Sequence, residues 1–190
     1  MAKKRGLDHH DVIEAGFVVL DRDGREKLSL KSVADILAVQ SPSLYSHVSG
    51  LGGLMDELAL AATNDFGDSL RDSAIGVAGD DAIRAFATAY RTWAFRHPSR
   101  YDITLRHIDS PERRAAGRGA ISTMDTILAH YGLSNAEARR AGRTLRAALH
   151  GFVTLEISNT LGRGDHDQSF KFLVEFFLDG LRVRVPEPAS

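Results

Sequence analysis

Apolar residues recur every three to four positions along almost the whole chain, and this period limits the fold more than any other feature. Val12, Ile13, Gly16, Phe17 and Leu20 fall on one side of a helix, as do Leu30, Val33, Ala34 and Leu37. Ile83, Phe86, Ala87, Tyr90, Trp93 and Ala94 form a third stripe of the same period. No segment alternates convincingly in the two-residue manner of a half-buried strand. The expectation is an all-α chain of about nine helices.

Local punctuation divides the pattern. Asp8 is placed to cap the first helix, and Asp21-Arg22-Asp23-Gly24 stops it. Ser29 caps a second helix, and Ser41-Pro42 reads as the cap and first residue of a third. A long fourth helix runs from about Leu51 to Leu70, and the loop Ile75-Gly76-Val77-Ala78-Gly79 is where modules would separate. His97-Pro98 breaks the next helix, because the residue before proline avoids helical angles. A short helix holds Tyr101, Leu105 and Ile108, and another extends from Ser110-Pro111-Glu112 to about Tyr131. Ser134-Asn135-Ala136-Glu137 has the spacing of a capping box for a helix reaching about Leu161, and a last helix spans about Asp167 to Val183. The functional division is drawn at residues 1–50 and 51–190.

Composition excludes several classes of function. With 43% apolar and 26% charged residues in a chain of 190, a packed core is expected. The net charge is -1, so any nucleic-acid surface must be local rather than a property of the whole chain. There is no cysteine, hence no disulfide and no thiolate metal site. No run of about 18 apolar residues and no apolar leader is present, so the expectation is a cytoplasmic protein without a membrane partner. Asp8, His9, His10 and Asp11 are adjacent rather than on one helical face, so no metal site and no cofactor is expected.

Val39-Gln40-Ser41 separates the second and third helices by the short turn of a helix-turn-helix. The third segment has a narrow apolar face, Leu44 and Val48 one turn apart, and leaves Gln40, Ser41, Pro42, Ser43, Tyr45, Ser46 and His47 on other faces. Hydroxyl, amide and imidazole groups can bond base edges or phosphate oxygens, and Pro42 can touch a thymine methyl. Lys3, Lys4 and Arg5 precede the first helix as a basic arm suited to phosphate or minor-groove contact. These residues suit double-stranded DNA as a partner, and equally an ordinary loop and short helix on a solvent face.

The run Leu44-Tyr45-Ser46-His47-Val48, after Ala34-Asp35-Ile36-Leu37-Ala38-Val39 and before Leu54-Met55-Asp56, resembles the DNA-binding domain of TetR-family transcriptional regulators. The likeness covers about Asp11 to Leu58, and Gln40 to Val48 is especially similar to the tetracycline-repressor version. The resemblance implies that Ser41, Pro42, Ser43, Tyr45 and His47 face DNA, and that Ser29 and Lys31 hold phosphates. Where the family usually has a phosphate-gripping lysine, this chain has Leu51 followed by Gly52 and Gly53. One lost contact flattens the salt dependence of binding by about 0.9 in slope.

The remainder resembles the effector-binding and dimerisation module of a family subgroup, through Trp93, His97-Pro98-Ser99-Arg100-Tyr101 and His150-Gly151-Phe152 with Glu156. From the residues themselves, Phe86, Tyr90, Trp93, Tyr101, Met124, Leu128 and Phe152 are candidates for a cavity wall. His107, His150 and Glu156 are polar groups able to converge on a small-molecule effector, or, in an enzyme reading, to serve as acid and base. Arg139, Arg143 and Arg146 share one helical face, read as solvated. Leu145, Ala148 and Leu155, with Phe170, Leu173, Val174, Phe177, Leu178 and Leu181, are the expected homodimer interface in a four-helix bundle. A two-fold dimer would present two recognition helices to a pseudo-palindromic operator. Taken together these features point to a ligand-responsive DNA-binding regulator, a repressor released by its effector.

Overall fold

The computed structural model describes residues 6–105 and 111–183. Among them the chain is all helical: α1 (His9–Asp23), α2 (Leu30–Leu37), α3 (Gly50–Ser73), α4 (Gly79–Arg96), α5 (Pro98–Thr104), α6 (Pro111–Ala129), α7 (Asn135–Ile157) and α8 (His166–Arg182). Two short 3-10 helices, Arg25–Lys27 and Ser41–Ser46, flank α2. None of the described helices is long and apolar enough to cross a membrane.

Three of the expected caps are formed, whereas Ser41 is the first residue of its segment rather than its cap, and Gln40 precedes it with no side-chain cap bond. Asp8 and Asp11 make a reciprocal capping box on α1, Ser29 and Ser32 one on α2, and Ser134 and Glu137 one on α7. Each gives orphan amide groups of the first turn a partner. The structure adds Asp165, whose carboxylate accepts from the Gln168 amide and starts α8. α7 stops at Ile157, short of Leu161, where the chain turns through Asn159 at positive φ.

The chain forms two compact units, Met1–Thr63 with His97–Arg113, and Asn64–Arg96 with Arg114–Ser190. The first unit therefore extends beyond residue 50 and takes in α5, while the loop Ile75–Gly79 lies inside the second unit rather than between modules. In the first unit α1 packs against α2 and α5. Its core is Val12, Phe17, Leu20, Leu28, Val33, Leu44, Leu54, Leu58, Tyr101 and Ile103. A Cβ on Gly16 would lie 3.1 Å from the Leu58 methyls, so glycine there lets α1 and α3 approach closely. Arg100 ties α5 to α1: its guanidinium bonds both Asp21 oxygens, at 2.9 and 2.6 Å from the nearer one, and lies 4.0 Å from the Phe17 ring centroid.

The second unit packs α4 against α7 and α8. Phe66 meets Tyr90 edge-on at 4.9 Å and Trp93 at 4.8 Å, and Phe152 meets Phe170 at 5.4 Å. Arg84 of α4 makes a bidentate pair with Glu175 of α8, and Asp80 accepts from Tyr131 and Arg182.

Candidate nucleic-acid interface

The interface is built from α2 outward. The Ser29 hydroxyl accepts from the Ser32 amide at 3.0 Å, which fixes the start of α2. Ala38 ends the helix in the left-handed conformation, φ 53°, and its amide returns to Ala34 and Asp35 carbonyls. That reversal turns the chain through Val39 and Gln40 into Ser41–Ser46.

The third segment was expected as an α-helix and is a 3-10 helix. Pro42 at its start cannot donate, and the amides of Ser43 and His47 bond three residues back, to Gln40 and Leu44, at 2.9 Å each. The Ser46 hydroxyl donates to the Ser43 carbonyl, which tightens the same turn. Leu44 is fully buried and Val48 nearly so. These two anchors pin the segment, each burial contributing about 1.5–3 kcal/mol.

With the anchors inward, Gln40, Pro42, Ser43, Tyr45 and Ser46 are exposed, Tyr45 at 64%, and Ser41 and His47 are half-buried. These seven residues of the sequence-derived contact set are thus all at least partly open to solvent. Ser29 is half-buried with its hydroxyl engaged in the capping box. Lys31 is exposed and bonds Asp35 at 2.9 Å; such a surface pair is weak enough to yield to a phosphate. Exposed Arg25 and Lys27, in the 3-10 turn leading to α2, add cations that sequence reasoning passed over, although their place just before a capped helix was readable. Leu51 is 43% exposed in the first turn of α3 and supplies no cation where the family pattern has one. Lys3, Lys4, Arg5 and His107 lie outside the described residues.

The expected effector residues are dispersed differently. Tyr101 is buried and belongs to the first unit. Phe86, Tyr90, Trp93, Met124 and Leu128 are buried in the second unit, where the Trp93 indole donates to Asp65 at 2.9 Å. Phe152 and His150 are half-buried on α7. Glu156 is buried but already paired: Arg91 bonds both its oxygens, at 2.9 and 2.5 Å, and reaches Asp167 at 2.7 Å. That pairing raises the Arg91 pKa, foremost through the Glu156 hydrogen bonds.

The expected dimer residues divide by burial. Leu145, Phe170, Val174, Leu178 and Leu181 are buried within the single chain, where they form part of its own core. Ala148, Leu173 and Phe177 are half-buried, and Leu155 is exposed. The apolar surface of α8 is instead Phe172 and Phe176, each 71% exposed and stacked 6.1 Å apart.

A capped short helix, a tight turn and a polar segment held by two buried anchors define a helix-turn-helix DNA-binding protein. Residues 83–177 match the family described as tetracyclin repressor-like, C-terminal domain. An uncharacterized HTH-type transcriptional regulator of Mycobacterium tuberculosis is 34% identical over 187 residues, 97% of this chain and 86% of that protein. The HTH-type regulator YobS of Bacillus subtilis is 28% identical, with 96% and 97% covered. Among solved structures, a protein of unknown function from Rhodococcus sp. RHA1 superposes with a TM-score of 0.82 at 19% identity, covering 95% of this chain and 98% of that one. A TetR variant from Acinetobacter baumannii AYE in complex with minocycline gives 0.71 at 22%, covering 96% and 100%. The chain belongs to the TetR family of helix-turn-helix transcriptional regulators.

Proposed function

We propose that the chain is a cytoplasmic, ligand-responsive repressor that binds a pseudo-palindromic operator as a homodimer and is released by a small-molecule effector, with no further cofactor. The observation that carries the DNA-binding part is the surface of Ser41–His47. Its only apolar anchors are buried, and Gln40, Ser43, Tyr45 and Ser46 face solvent with donors and acceptors suited to bases and phosphates. Lys31, Arg25 and Lys27 support it with exposed charge at the start of α2. The Acinetobacter protein is in complex with minocycline, which supports a small-molecule effector for this chain. An acid–base enzyme using Glu156 is disfavoured, because Arg91 already occupies that carboxylate.

For the homodimer, Phe172 and Phe176 of α8 with Leu155 of α7 supply the contact. Effector binding that alters the spacing of the two recognition segments would prevent simultaneous use of half-sites about 34–36 Å apart. By linkage, operator DNA must then weaken effector binding by the same factor.

A mobility-shift titration on the DNA beside the chain's own gene tests this reading. Binding should fall with salt, at a slope of about 0.9 per phosphate contact. Tyr45→Ala or Ser43→Ala should weaken it by about 1–3 kcal/mol per site while leaving the melting temperature unchanged. Equal binding by both variants and the parent would remove the assignment of this surface.

A further inference from the structure

The second unit contains a cleft of about 280 Å³ among the end of α3, the loop Ala74–Ala78, the start of α4 and the later half of α6. Its volume falls just below the range of ligand-binding clefts, about 300–1,000 Å³, which limits an occupant to one or two rings. None of the effector residues expected from the sequence lines it.

Its chemistry is divided. Ala74, Ala78, Ala82 and Ile127 supply apolar lining, and the loop adds Ile75 and Val77. Ile75 is 74% exposed although aliphatic. Gly76 and Gly79, both at positive φ, hold this loop in a conformation that other residues rarely adopt. An apolar occupant would cover Ile75 and Val77.

The α6 side is polar, and its hydroxyls are turned to backbone carbonyls. The Ser122 hydroxyl donates to the Gly119 carbonyl at 2.9 Å and the Thr126 hydroxyl to the Ser122 carbonyl at 2.9 Å. His130 Nδ1 lies 3.1 Å from the Thr126 carbonyl, which can only accept, so Nδ1 carries a proton. In this arrangement the hydroxyl oxygens of Ser122 and Thr126 keep lone pairs for a donor on the occupant. Arg71, the cation of the lining, bonds Asp68 at 2.9 Å and has Asp72 at 3.9 Å, so an incoming anion meets two carboxylates with the guanidinium.

We propose that this cleft binds a small neutral ring compound carrying one hydroxyl or N–H donor, the ring on Ile75, Val77 and Ile127 and the donor toward Ser122 or Thr126. The assignment deepens the reading of the second unit as effector-binding and rests on it. Amide proton–nitrogen correlation spectra of the full chain, titrated with naphthol, methoxynaphthalene and naphthoate, test it. Naphthol should shift amides in Ala74–Ala82 and Ser122–His130. Methoxynaphthalene, which cannot donate, should bind about two- to tenfold more weakly, and anionic naphthoate more weakly still. Ala78→Trp, which fills the cleft from an exposed loop position, should abolish the shifts, and Thr126→Val should reduce the preference for naphthol over its methyl ether.

Three results would overturn the assignment: naphthol shifts centred on Phe86, Trp93 and Phe152, no shifts, or equal affinity for all three probes. The mobility shift of the unaltered chain is run in parallel. Operator binding without shifts in the cleft overturns this site alone, whereas shifts in the cleft without any DNA binding overturn the regulator reading.

Discussion

At the scale of single residues, His150 shows how a polar side chain flagged in the sequence can act on stability. It is half-buried on α7, with the Thr154 hydroxyl 3.4 Å from Nδ1. Burial, and after it the charge of Arg146, lowers its pKa from the usual histidine value of 6.5. The folded chain therefore resists protonation that the unfolded chain accepts. Stability from this residue is complete above about pH 6.5 and is lost as pH falls through the lower, folded value. Urea unfolding at about pH 7.5 and about pH 5.5 should show a smaller loss for His150→Gln than for the parent. An equal loss in both would place the pH dependence elsewhere. Glu156 illustrates the opposite limit of sequence reading. A buried carboxylate beside apolar neighbours is visible in the helical pattern, but its partner Arg91 is 65 positions away and nothing local announces the pair. Arg100 and Asp21, separated by 79 positions, were unreadable for the same reason.

At the scale of elements, what is local was legible. The caps Asp8, Ser29 and Ser134 each need only a side chain and an amide three residues on, and each formed as the residues indicated. The recognition segment was legible as an element but not as a 3-10 helix, since six residues carry too few apolar positions to distinguish a period of 3.0 from 3.6. The break before it has a measurable cost. Ala38 ends α2 at φ 53°, ψ 43°, where its Cβ crowds the following carbonyl. Glycine there would remove the crowding at some loss of unfolded-state restriction, so Ala38→Gly should stabilise the chain by about 0.5–1 kcal/mol. Thermal unfolding followed by circular dichroism measures this, and a lower melting temperature would mean that the turn depends on a contact of the Ala38 methyl. The loop Ile75–Gly79 was recognised as a loop because glycine punctuates locally. Which unit it belongs to is set by packing, and that was not readable.

At the scale of the whole molecule, the proposed homodimer requires an apolar surface for a second copy to cover. The helical pattern of α8 is apolar on more than one face, Phe170, Phe172, Leu173, Val174, Phe176, Phe177, Leu178 and Leu181, and periodicity alone cannot say which face is inward. The fold answers that by burying Phe170, Val174, Leu178 and Leu181 in its own core, where α8 meets α4 and α7. Phe172 and Phe176 are then left one turn apart in water, with Leu155 exposed on α7. Covering a phenylalanine side chain contributes about 1.5–3 kcal/mol, and a two-fold contact uses each of these residues twice. Replacing both by aspartate should leave the core and helical content intact while placing four charges in the contact. Light scattering at micromolar concentration should then report a dimer for the parent and a monomer for Phe172→Asp/Phe176→Asp. The monomer should also lose the joint use of two half-sites and bind a single half-site and the full operator with nearly equal affinity. A dimer that persists in the double variant would move the interface off this face of α8, and a monomeric parent that binds the full operator tightly would end the two-fold reading.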